Sequence, residues 1–73
     1  MSKIEYEIIS SKGVLSKNKS GWTKELNLVS WNGRSSKYDI REWSEGHEKM
    51  SKGITLTEEE IKCLKEILNE MDI

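Results

Sequence analysis

Two tryptophans, Trp31 and Trp43, stand among cations in the stretch Leu26 to Trp43, LNLVSWNGRSSKYDIREW. Two strand-like runs joined by a Gly-containing turn make up this stretch. Side chains alternate across a strand with period two, so the runs sort into two faces. One face carries Leu26, Leu28, Tyr38 and Ile40 and is expected to be core. The other carries Val29, Trp31, Lys37, Arg41 and Trp43 and is too polar for a second core. Indoles among cations suit one kind of chemistry. Every base offers a π-face, and stacking on an aromatic ring is worth roughly 1–3 kcal/mol per base with little regard to sequence. Lysine and arginine neutralise phosphates and release counterions, with a log–log salt slope of about −0.7 per phosphate on single strands. A duplex hides its base faces, so the expected ligand is single-stranded nucleic acid, held with little sequence specificity.

An enzyme is not expected. The chain has one His and one Cys and lacks a Gly-rich phosphate loop, so no nucleophile–base pair or metal cluster can be assembled. No metal, cofactor or small-molecule substrate is implied. His47 reads as an exposed loop residue and Cys63 as a small helix residue. Lys17 and Lys19 read as solvated charges at a loop tip. Trp22 fits a core or interface position as well as a ligand contact. Arg41 has a second use as well, pairing with Asp39 or Glu42 in a surface salt bridge of little energetic value. Against nucleic-acid binding stands a protein-interaction module, whose exposed aromatic sheet face would dock a partner domain. Single-stranded RNA is a variant of the first reading.

These side chains need a sheet to hold them. Residues 1–11 alternate Ile4, Tyr6 and Ile8 with Glu5 and Glu7, a strand with one wet face. Gly13 interrupts it, Val14 and Leu15 resume it, and a glycine there suggests a bend or bulge. A second strand runs from Trp22 to Trp31; Asn32-Gly33 favours a tight hairpin, and the polar stretch through Ser36 also allows a longer loop. Lys37 to Ser44 is the third strand. Ile54 to Leu56 form a short fourth. Thr57 then opens a helix, with Glu60 completing a capping box and Glu58, Glu59 and Glu60 complementing the helix dipole. Ile61, Leu64, Leu68 and Met71 recur at helical spacing. The expected fold is α+β, one domain over residues 1–73: a curved four-stranded antiparallel sheet followed by a C-terminal helix, β-β-β-β-α.

The totals place limits on this picture. A chain of 73 residues buries only about 60% of its unfolded surface and is marginally stable alone. One Cys excludes an internal disulfide, which leaves oligomerisation as the means of stabilisation. No apolar run reaches the ~20 residues of a membrane span, and no signal-peptide core is present. A cytoplasmic protein is expected, with nucleoid association open. Net charge is −1, but it is polarised. Residues 12–37 hold six cations against one acid, net +5, while residues 58–73 hold two against six, net −4. Such a molecule attracts a polyanion on one side despite its overall charge.

Three segments taken together, WNG, KYDIREW and KGITLTEEE, resemble the single-stranded-DNA-binding domain of the transcriptional coactivator positive cofactor four. The resemblance is nearest to its short bacterial YdbC-like relatives and spans about residues 22–68. It implies a homodimer in which strands of both subunits cradle single-stranded DNA and the helices pack together through Ile61, Leu64, Leu68 and Met71. It implies a stacking role for Trp31, basic contacts at Lys24, at Lys37 or Arg34, and at Lys52, and a role for Arg41 within DIRE. Trp43 approximates the tryptophan after that motif. It comes one residue earlier than in the eukaryotic pattern, which bears on the face it occupies. Trp22 completes the candidate surface. A role in transcription, replication or repair follows from the same resemblance.

Overall fold

The structure, a computed structural model, describes residues 4–73. Four strands pair in sequence order: β1 (Tyr6–Lys17), β2 (Thr23–Trp31), β3 (Lys37–Trp43) and β4 (Ile54–Leu56), all antiparallel. One short 3-10 turn, Glu45–His47, precedes β4, and the helix α1 (Glu58–Glu70) follows it. The α+β order read from the sequence is therefore observed. The strand expected over residues 1–11 begins at Tyr6, and residues 1–3 lie outside the described chain. As the glycine suggests, pairing is irregular at Gly13, and Val14 and Leu15 carry the strand on. It continues to Lys17 through three register shifts, one of them between Ser11 and Gly13.

Those irregularities bend β1 and increase local twist. How far the sheet coils can be read from three rings. Tyr6 lies opposite Trp31 at one end of β2, and Trp43 lies opposite Thr23 at the other. In a flat sheet those ends would be about 27 Å apart at ~3.4 Å per residue. Yet the Tyr6 ring centroid is 6.0 Å from that of Trp31 and 5.1 Å from that of Trp43. The sheet must curl until one face is nearly closed on itself. The Tyr6 hydroxyl also donates to the His47 carbonyl, tying the loop before β4 onto β1.

The curl decides where the core sits, and it reverses the expected assignment of faces. The buried residues are Glu25, Asn27, Val29, Asp39 and Trp43, all on the face expected to bind. Leu26, Leu28, Tyr38 and Ile40 are only half-buried. The inner face of a coiled sheet is screened from water by its own aromatic rings, whatever its polarity. The outer face depends on α1, which crosses β3 and β4 and buries none of its own residues.

Two local features fix the connections. Asn32 (φ 52°) and Gly33 (φ 73°) form the tight turn after β2, closed by the Arg34 N–H on the Trp31 carbonyl at 3.0 Å. At Gly53 the chain passes so close to β3 that a Cβ would collide with the Ile40 carbonyl oxygen and the Arg41 Cβ. The glycine of KGITL is thus a requirement of backbone approach. The capping box of α1 is present as read: Thr57 Oγ1 accepts from the Glu60 N–H at 3.1 Å, and the Thr57 N–H donates to Glu60 Oε1 at 2.8 Å.

Candidate nucleic-acid interface

Beneath the rings, the inner face carries two polar clusters. In the first, Asp39 on β3 is fully buried and receives both arms of Arg41: Nε on Oδ1 at 2.6 Å and Nη2 on Oδ2 at 2.7 Å. Thr55 on β4 adds its hydroxyl to Asp39 Oδ2 at 3.1 Å. A fork-to-fork pair of this kind is geometrically specific and stronger than a single contact. The guanidinium carbon of Arg41 lies 4.5 Å from the Trp31 ring centroid, a cation–π arrangement. The Arg41 side chain is only 14% exposed.

In the second cluster Glu25 on β2 accepts from Thr23 Oγ1 and from Asn27 Nδ2, and sits 2.9 Å from His47 Nε2 through both of its oxygens. Burial by itself pushes the Glu25 carboxyl upward. The hydrogen bonds from Thr23, Asn27 and His47, and the attraction of His47, outweigh it and hold the group below its ordinary range. The His47 ring rests against Trp43 at 5.5 Å. Asn27 Oδ1, Trp31 Nε1 and Trp43 Nε1 are buried without a protein partner.

The structure distributes the expected binding residues unevenly. Trp43 is fully buried under Tyr6 and His47, which leaves no ring surface for a base. Its assignment as a stacking residue is corrected to core. The reason is the coil of the sheet, which brings the Tyr6 ring of β1 and the His47 ring over Trp43. Trp31 is half-buried, with Arg41 against its ring, and unlike Trp43 it is not sealed from solvent. Trp22 is half-buried just before β2, its backbone N–H donating to Asn18 Oδ1 at 3.0 Å. Lys37 is exposed and shares the face of Trp31, opposite Val29. Arg34 and Lys52 are exposed in the flanking loops. Lys24 is exposed but pairs in register with Glu42 on the other face, so it does not join Trp31. Arg41 makes a partly buried ion pair with Asp39, not the surface one the sequence allows.

The sequence reading gives Glu25 no part in the site, reads His47 as an exposed loop residue, and gives Asp39 only a surface pairing with Arg41. Alternation alone places Glu25 and Asp39 on the Trp31 face. No local signal links His47 to Glu25, which is 22 residues away in sequence. Of the helix stripe, Ile61 and Leu64 are half-buried, while Leu68 is 48% and Met71 46% exposed. A groove of about 470 Å³ opens between α1 and the outer face, lined by Leu26, Tyr38, Ile61, Leu64 and Leu68 among others. Among the described residues no cluster of potential metal ligands occurs, and no helix is long and apolar enough to cross a membrane.

A sequence profile of the family Transcriptional Coactivator p15 (PC4) matches residues 17–67. The chain belongs to the PC4 family. It is also 50% identical over 68 residues to an uncharacterized protein of Treponema pallidum (strain Nichols), an alignment covering 93% of this chain and 80% of that one. The PC4 family is known for nucleic-acid binding and coactivator roles, which fits a DNA-binding, transcription-related protein with bacterial relatives. The PC4 match contains every candidate binding residue from Trp22 to Lys52. It omits nearly all of β1, so Tyr6, the ring that joins Trp31 to Trp43, comes from outside it.

Proposed function

We propose that this protein binds single-stranded DNA as a homodimer, with little sequence preference and no chemistry of its own. The observation that carries the reading is the placement of Trp31: a half-buried indole at the rim of the inner face, with exposed Lys37 on the same face and exposed Arg34 in the adjoining turn. A base stacks on the ring while the cations meet the flanking phosphates. Lys52 extends the cationic rim beside β4, and Trp22 offers a second aromatic surface at the opposite end of β2. The helix stripe joins the two copies. Single-stranded RNA would meet the same stacking and phosphate contacts. The protein works in the cytoplasm or on the nucleoid.

Fluorescence titration with oligo(dT) and with a matched duplex tests this. The expected result is tryptophan quenching by oligo(dT), much weaker binding of the duplex, and an affinity that falls steeply with salt. Equal affinity for the duplex would overturn the reading. Binding of a protein partner through the same face would instead be nearly indifferent to salt.

A further inference from the structure

The bidentate Asp39–Arg41 pair does something for Trp31 that neither residue does alone. Asp39 has no solvent exposure, and three hydrogen bonds from Arg41 and Thr55 fix its carboxylate. Arg41 is held in turn by that carboxylate and by the Ser51 carbonyl, which accepts from Nη1 at 3.4 Å. Its guanidinium therefore has one position, and that position lies 4.5 Å from the Trp31 ring centroid. Two consequences follow. The charge of Arg41 is already matched by a carboxylate at hydrogen-bond distance, so little remains for a phosphate. And Trp31, whose Nε1 has no protein partner to orient it, is oriented by what lies against its face. Lysine, with a single point charge, could not hold a carboxylate by two parallel bonds and lie flat on an indole.

We propose that Asp39 is a positioning residue for nucleobase binding: it fixes the Arg41 guanidinium as a backing plate on Trp31, so that Arg41 serves the site by orienting the indole and not by neutralising a phosphate. This rests on the reading of Trp31 as a stacking surface. It separates the cations into two kinds. Lys37, Arg34 and Lys52 contribute to the salt dependence of binding, and Arg41 does not.

The test uses the full chain and two readouts. The first is the indole N–H cross-peak of Trp31 in a nitrogen–proton correlation spectrum without ligand, assigned by its loss in Trp31→Phe. The second is oligo(dT) affinity across a salt series. Asp39→Asn, Arg41→Lys and Arg41→Gln should each move the Trp31 peak. Each should weaken oligo(dT) binding roughly tenfold, within what one stacked base supplies. The salt slope should stay at the wild-type value even in Arg41→Gln, which removes the charge. Asp39→Asn combined with Arg41→Lys should bind no worse than the weaker single variant, because both act through one contact. Thr55→Val, which removes a single hydrogen bond from Asp39, should shift the same peak by less, and it decides the matter together with Arg41→Lys if Asp39→Asn does not fold. A slope reduced by about 0.7 in Arg41→Gln would mean that Arg41 meets a phosphate, and would overturn the proposal. Unchanged affinity in Asp39→Asn and Arg41→Lys would overturn it alone. Wild-type protein that leaves oligo(dT) unbound overturns the reading of the site and the proposal with it.

Discussion

Trp31 and Trp43 are the same residue type on the same strand face, yet their surroundings give them opposite roles. Trp43 has no exposure and packs between Tyr6 and His47. Trp43→Ala should therefore cost about 3–5 kcal/mol of stability, seen as a large fall in the denaturation midpoint. Trp31→Ala should leave the fold standing and weaken oligo(dT) binding by an amount corresponding to roughly 1–3 kcal/mol, read by titration beside circular dichroism. Alternation correctly placed both rings together. It could not say that the face would close over one of them, because closure depends on Tyr6 arriving from β1 after three register shifts. Glu25 yields a prediction of a different kind. Its folded carboxyl titrates below the ordinary value of 4.5. The stability it contributes is therefore present above that value and is lost as pH falls through the lower folded one. Glu25→Gln should flatten the decline of melting temperature on acidification below about pH 4.5, compared with wild type. An acid limb as steep in the variant as in the parent would show that other carboxylates govern it.

The elements were more legible than the faces. The Ile54–Leu56 strand and the Thr57/Glu60 cap are set by residues near one another in sequence and stand in the structure as read, while the Asn32-Gly33 turn opens the longer loop through Ser36 and not a two-residue hairpin. The inner face differs from the one alternation predicts because a flat sheet would bury its more apolar face, whereas this sheet coils. Coiling is a property of the whole sheet and puts Asn27 and Asp39 inside, where hydrogen bonds and an ion pair satisfy most of their polar atoms. Two predictions belong here. Thr57→Ala removes one half of the capping box and should lower stability by about 1 kcal/mol, by denaturant titration. Gly53→Ala places a methyl group against β3 backbone that cannot yield as a side chain would. It should cost about 1–3 kcal/mol and, by pushing Arg41, weaken oligo(dT) binding more than Thr57→Ala does. Equal binding in the two variants would uncouple the β3–β4 approach from the site.

At the scale of the molecule, the chain falls short of a complete core. Val29 and Trp43 are its two buried apolar residues among those described, and α1 has none. A 73-residue domain is marginal even when well packed. Here Ile67 at 56%, Leu68 at 48% and Met71 at 46% exposure line a helix that only partly covers the half-buried outer face. Each such side chain fully removed from water gains roughly 1.5–3 kcal/mol, enough in aggregate to matter against a total of about 5–15 kcal/mol. In the homodimer proposed above, a second copy covers this face, away from Trp31, and leaves the rim cations free for a strand. Sedimentation equilibrium should therefore give wild-type protein twice the 8.5 kDa chain mass. Its melting temperature should rise with protein concentration, as it does when association stabilises the fold. Leu68→Glu, which puts a charge at the centre of the stripe, should sediment as a single chain and melt earlier, with no dependence on concentration. It should also bind oligo(dT) less tightly, since one copy offers half the stacking surface. Wild-type protein that remains a single chain at tens of micromolar, and melts at the same temperature at every concentration, would show that α1 and the outer face suffice without a partner.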